Sequence, residues 1–297
     1  VDDQAKDMLR YPKQSADSSD LPGRSSMTLR ILLLAASAGL LFVGTAPART
    51  WYVAADGSGD APTIDAAVDS SSAGDVILVG PGTHDVGSDA GGVFLKVGTS
   101  LISEAGPVVT IVQPATGIGQ SDVLKVPDAC VITGFTIRRA WLATIYAYGN
   151  NVEISGNIIE ISGGGLGIRV DRVASVHHNV IYGGGDAIVV EFSEGITEIN
   201  NNIILGRVSK CGGTVLVYCN DVTTASSCVS YGQTNFNLDP IFCGIGNYYL
   251  NAASPCAPGN HPNGFDNCGL IGPLPVGCGT VKTEPTTWGA VKALYRD

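Results

Sequence analysis

The residues best suited to chemistry stand in four short segments. "GIRVDR" carries Arg169 and Asp171, "AIVVEF" carries Glu191, "TIYAY" carries Tyr146 and Tyr148, and "TVLVYCND" carries Tyr218 and Asp221; Lys125 stands earlier, in "DVLKV". Two carboxylates on neighbouring segments can serve as acid and base in glycoside cleavage. They can also hold Ca²⁺ through hard oxygen ligands and so bridge to a uronate. Asp171 and Glu191 are the candidate pair, and Arg169 beside them can neutralise a substrate carboxylate or act as the base. Tyr146, Tyr148 and Tyr218 offer flat faces to sugar rings, with Lys125 and Asp221 as polar contacts.

Other motifs carry less. His177 and His178 are adjacent, and neighbours on a strand point to opposite faces, so surface packing is expected rather than shared metal ligation. Asp56 to Asp60, in "AADGSGDAPT", has the spacing of a calcium loop without its further acidic ligand, so a turn is expected. The glycine runs "SGGGLG" and "YGGGDA" (162–167 and 182–187) precede no helix and recur at one phase. They read as tight corners needing positive φ.

The elements that must position these residues come from a repeat. "NVEISGNIIEIS", "VASVHHNVIYGG" and "ITEINNNIILGR" align on Asn157, Asn179 and Asn202, which are 22 and 23 residues apart. One period earlier the column takes Thr136, and one period later Cys228. Asn200 and Asn201 read as turn residues, and Asn202 as the one that bonds the corner backbone and the next coil. Short apolar strands lie between these corners at matching phase. In "GIRVDR" Ile168 and Val170 point inward while Arg169 and Asp171 point outward. A coil of this kind buries its inner face only by stacking on its neighbours. An antiparallel sandwich would show hairpin turns, and the one Asn-Gly, at Asn263, is outside the repeats. The fold class expected is all-β, a parallel β-helix. Ahead of it, Ile64, Ala67 and Val68 have helical spacing, and a helix there would cover the open end of the core.

"TIDAAVDSSSAGDVILVGPGTHDV" resembles the N-terminal cap and first coil of right-handed parallel β-helix proteins of the pectate-lyase-like superfamily. "NFNLDPIFC" followed by "NYYLNAASPC" is similar to the way bacterial secreted members leave the helix. The resemblance spans roughly residues 50–257. It implies a substrate groove along one parallel sheet and its loops, with an extracellular polysaccharide as partner. The outward residues of the strands named above are the candidates for that groove. The lyase signatures of the group, and the Asp and His-Gly motifs of its pectin-cleaving hydrolases, do not occur. No catalytic residue carries over by motif, which counts against an enzyme; the activity the resemblance implies is polysaccharide binding or processing, with a lyase or a glycoside hydrolase as its enzymatic form. The alternative is a non-catalytic surface or adhesion module.

The remaining features bound the class. With 44% hydrophobic and 15% charged residues, the chain is not disordered. Residues 31–46, "ILLLAASAGLLFVGTA", follow Arg30 and run into Ala46-Pro47-Ala48, the pattern of a secretory signal peptide. The run is short for a membrane span, so no stable span is expected after cleavage. Met27 reads as the start and Arg49 as the first mature residue. Residues 1–48 hold five acids and five bases, so the mature net charge stays near the −10 of the whole chain. That charge disfavours nucleic acid and anionic membranes.

Seven of the eight cysteines fall in the last third without a CxxC pair, which suits disulfides rather than zinc. Cys130 is in phase with Val152 and Ala174 and, with Cys228, reads as a buried thiol. The nearest-neighbour pairings are then Cys211–Cys219, Cys243–Cys256 and Cys268–Cys278. The expected organisation is a leader over 1–48, the β-helix over 49–243, a Cys-rich cap over 244–280, and a sorting or anchoring tail over 281–297.

Overall fold

The computed structural model describes residues 47–279 except 88–90, 116–121, 139, 193 and 226–228, and of residues 210, 211 and 230 the backbone alone. Residues 1–46 of the leader, Cys228 and the tail lie outside the described residues. Strands pair in parallel, each with the strand one coil away. A nine-stranded sheet runs from Thr50–Val53 to Ser230–Tyr231, and a twelve-stranded sheet takes the other strands of the coils. The latter bends about its longest strand, Ile203–Cys211, which pairs first with Val180–Tyr182 and then with Asp186–Val190. Each coil thus has three sides: the nine-stranded sheet, then a first and a second limb of the twelve-stranded one. This is a right-handed parallel β-helix.

The register explains the core. Stacked columns point inward from each side: Ile132, Ile154, Val176, Ile199 and Val217; Ile137, Ile159, Ile181, Ile204 and Val222; Leu124, Ile145, Ile168, Ile188 and Val208. All are buried in one continuous cluster. β-branched residues fill pleated, flat-sided layers with little loss of rotamer freedom. The helix Ile64–Ser70 adds Ile64, Ala67 and Val68 to this core, and the Thr63 hydroxyl accepts the Ala66 N–H at 3.1 Å as its cap.

The corner before the first limb is held by a ladder of buried amides, Asn157, Asn179, Asn202, Asn220 and Asn235. The backbone N–H of each of the first four donates to the side-chain oxygen of the next at 2.9–3.0 Å. Each of the first four Nδ2 groups donates to that oxygen as well. Two column assignments are corrected. Thr136 pairs with Ile158, so Phe135 takes the place before Asn157, its N–H donating to Asn157 Oδ1. The place after Asn202 belongs to Asn220, not Cys228, because the next coil is shorter than the repeat period implies. From Phe135 to Asn220, the residue before each column member bends the chain at positive φ: Gly134, Gly156, His178, Asn201 and Cys219 at 86°, 66°, 54°, 54° and 56°. Glycine is free to do this and the others are held there by the ladder.

Beyond the coils, Phe242–Gly244, Asn247–Asn251 and Val276–Cys278 form a small sheet. The C-terminal segment folds back over the outside of the first limb. There Ile158, Val180 and Ile203 join Leu250, Ile271 and Leu274 in a second apolar cluster. Asn201, expected as an ordinary turn residue, anchors that segment by donating to the carbonyls of Cys268 and Leu270 at 2.5 and 3.0 Å.

The cysteine pairings are corrected accordingly. Cys219 bonds Cys268 and Cys243 bonds Cys278, so Cys211–Cys219, Cys243–Cys256 and Cys268–Cys278 do not form. Nearness in sequence misled because the chain returns across the coils. Cys130 and Cys256 are buried thiols.

Candidate functional site

The second limb brings the predicted residues together. Ala143–Ala147 lies between Asp122–Val126 and Leu166–Val170, and Leu166–Val170 pairs onward with Asp186–Val190. Phe94, Lys125, Tyr146 and Arg169 are in register on successive coils. Asp171 and Glu191 directly follow their strands, and their N–H groups donate to the coil before, to Ala147 O and Val170 O.

Arg169 ties this surface together. Its Nε donates to Asp171 Oδ1 at 3.0 Å and its Nη2 to Glu191 Oε2 at 3.2 Å. Its guanidinium carbon lies 4.7 Å from the centre of the Tyr146 ring. The Tyr146 hydroxyl donates to Asp171 Oδ2 at 2.5 Å. Burial, reinforced by that hydrogen bond, pushes Tyr146 up to about 12, so it is a neutral donor at physiological pH. Arg169 is held above its ordinary value. Burial opposes its charge, and hydrogen bonding and attraction from Asp171 and Glu191 outweigh it. This suits a fixed cation that positions both carboxylates and argues against service as a base.

Lys125 rests over the Phe94 ring at 4.2 Å and is 3.8 Å from Asp122, a residue sequence reasoning passed over. Burial raises the Asp122 carboxyl. Its signal was the polar residue opening "DVLKV" at a phase otherwise apolar. Exposed aromatics flank the cluster: Phe94, Tyr148 and Phe192, with Tyr148 in ring contact with Tyr146 at 5.6 Å.

Two predicted contacts fall elsewhere. Thr214–Tyr218 belongs to the nine-stranded sheet, so Tyr218 is not on this face and hydrogen-bonds Glu198 at 3.1 Å. The strand that stacks on Asp186–Val190 is the end of Ile203–Cys211, from Arg207 onward. Asp221 is 2% exposed; its Oδ1 accepts the Leu238 N–H at 3.1 Å and its Oδ2 faces Cys256 Sγ at 3.6 Å. Burial pushes its pKa up to about 6.

His177 and His178, expected on opposite faces, meet with ring nitrogens 3.0 Å apart, because the left-handed bend at His178 turns its ring back. Asp56 forms the expected turn, accepting from Ser58. No cluster of three metal-binding side chains occurs among the described residues. A resident Ca²⁺ does not fit between Asp171 and Glu191, where a guanidinium already bonds both. No helix among the described residues is long and apolar enough to cross a membrane.

No family model and no curated protein matches the chain. Among solved structures, a pectin methylesterase in complex with a hexasaccharide aligns at 14% identity over 62% of this chain and 68% of its own, with TM-score 0.38. Pectin methylesterase PemA from Erwinia chrysanthemi aligns at 14% identity over 67% and 73%, with TM-score 0.37. At these values the likeness carries no argument about activity; the fold rests on the chain's own strand pairing.

Proposed function

We propose that the second limb is the working face of a secreted β-helix that binds and processes an extracellular polysaccharide. Asp171 and Glu191 supply the reacting carboxylates, Arg169 fixes them and meets substrate charge, and Tyr146 donates to Asp171. The observation that carries this reading is the single guanidinium that gathers two carboxylates and a tyrosine from three successive coils between exposed aromatic rings. Preorganised charge of this kind suits a carboxylate that acts as a base on a sugar. The test is a polysaccharide panel read by the absorbance of unsaturated uronates and by reducing-sugar release, with and without Ca²⁺. Turnover of one glycan supports the reading, and silence across the panel with no glycan retained rejects it.

One observation favours a non-catalytic surface module instead. Elsewhere on the coils, charged side chains also pair across neighbouring strands, as Arg207 does with Asp186 at 2.6 Å. A ladder of ion pairs is an ordinary way to finish an exposed sheet. Glycan retention without turnover would select this alternative.

A further inference from the structure

A second polar column runs along the first limb, on a different side of the coil from Arg169. Asp85, Gln113 and Arg138 are linked in sequence. Gln113 Nε2 donates to Asp85 Oδ1 at 2.8 Å, and Arg138 Nε donates to Gln113 Oε1 at 3.0 Å. The register continues through Glu160 to Tyr182, whose hydroxyl donates to Glu160 Oε2 at 3.3 Å. The chain of bonds is broken at one place. Arg138 and Glu160 occupy adjacent coils in the same column, yet among the described residues no ion pair joins them.

The gap opens into a cleft of about 470 Å³ roofed by the C-terminal sheet, with Asn247, Tyr248 and Tyr249 opposite Arg138, Glu160 and Tyr182. Its volume is in the range of small-ligand sites. The Tyr182 and Tyr248 rings are 5.2 Å apart and both half-buried. The cleft therefore offers fixed donors at Arg138 and acceptors at Glu160, an amide that does both, and apolar ring faces. The facing charges are equal and opposite, so a strongly anionic ligand gains at Arg138 and loses at Glu160. A ligand with vicinal hydroxyls can accept from the guanidinium and donate to the carboxylate at once, while its ring lies on tyrosine.

We propose that this cleft is a binding site for a neutral sugar unit, separate from the Asp171–Glu191 face and independent of any activity there. The location explains a feature of the fold: the C-terminal segment, tied to the coils by Cys219–Cys268 and Asn201 and stapled within itself by Cys243–Cys278, sets Tyr248 and Tyr249 over the coils.

The test is calorimetric titration of the full protein with neutral trisaccharides of glucose, mannose and galactose, and with a trigalacturonate as the acidic arm. The expected result is binding of at least one neutral trisaccharide with a dissociation constant below about 1 mM. Arg138→Ala and Glu160→Ala should each weaken it about tenfold or more, with the melting temperature within a few degrees of native. Tyr248→Phe, which keeps the packing, serves as a control for the integrity of the roof and should retain most of the affinity. The proposal is overturned by no neutral binding at about 10 mM ligand, by unchanged affinity in both the Arg138 and Glu160 variants, or by binding of the uronate alone.

Discussion

Replacing the three consecutive asparagines 200–202 by alanine, one at a time, separates three roles that the sequence presents as one. Asn202 is buried. Its Nδ2 donates to Val176 O at 2.8 Å, Asn200 O at 2.8 Å and Asn220 Oδ1 at 3.0 Å, and its Oδ1 accepts from Asn179 N and Nδ2 at 3.0 and 2.9 Å. Asn202→Ala strands the buried Asn179 N–H, at about 1–3 kcal/mol, and removes two carbonyl bonds at about 1 kcal/mol each. The expected loss is about 3–5 kcal/mol, a large share of the about 5–15 kcal/mol that an ordinary fold has in total. Asn201→Ala loses two bonds to the C-terminal segment and must keep φ at 54°, so about 2–3 kcal/mol is expected. Asn200, whose side chain makes none of the ladder bonds, should tolerate alanine within about 0.5 kcal/mol. Equilibrium urea unfolding followed by circular dichroism reads all three. Equal costs, or a loss below about 1 kcal/mol for Asn202→Ala, would refute the assignment of the ladder as the element that holds the corners.

Other expectations concern the C-terminal closure. Asp221, with a folded pKa of about 6 against an ordinary 3.8, takes up a proton more readily folded than unfolded. Its burial penalty is present above pH 6 and is relieved as pH falls toward 3.8, a difference of about 3 kcal/mol. Relative to Asp221→Asn, the native protein should therefore gain stability between pH 7 and pH 4, measured by urea unfolding at each pH; a constant difference would contradict the burial of that carboxylate. Non-reducing peptide mapping should recover Cys219–Cys268 and Cys243–Cys278, and a Cys243–Cys256 peptide would contradict the fold-back. Burial raises the Cys130 and Cys256 thiols, so both should resist iodoacetamide until the protein is unfolded; rapid native labelling would show the interior is open. Serine at Cys243 opens a 35-residue link and should cost about 3–4 kcal/mol, again read by urea unfolding.

The solenoid was legible because its physics is periodic. Asn157, Asn179 and Asn202 repeat at coil length, and Ile168 and Val170 alternate with Arg169 and Asp171 as a strand requires. The Arg169, Asp171 and Glu191 cluster was legible for the same reason, since residues one period apart on one face must meet. What failed lay where the period breaks. The coil after Asn202 is short, which moved the ladder to Asn220 and sent "TVLVY" to another side of the helix, taking Tyr218 and Asp221 away from the groove. The disulfides, the anchor at Asn201 and the tyrosine cleft all depend on a segment that returns from far along the sequence. No local pattern encodes that return. His178 escaped alternation because a single left-handed residue reverses a side chain's direction.

The central claim is that Asp171 and Glu191 act on a glycan held along the second limb. It is tested most directly by measuring glycan turnover and retention for the native protein, Asp171→Ala and Glu191→Ala on whichever polysaccharide the panel selects, with melting temperature recorded for each. The account predicts that each substitution abolishes cleavage or binding. Both side chains are partly exposed, so their loss should leave the fold intact and the melting temperature within a few degrees of native. Native activity in both variants would contradict it.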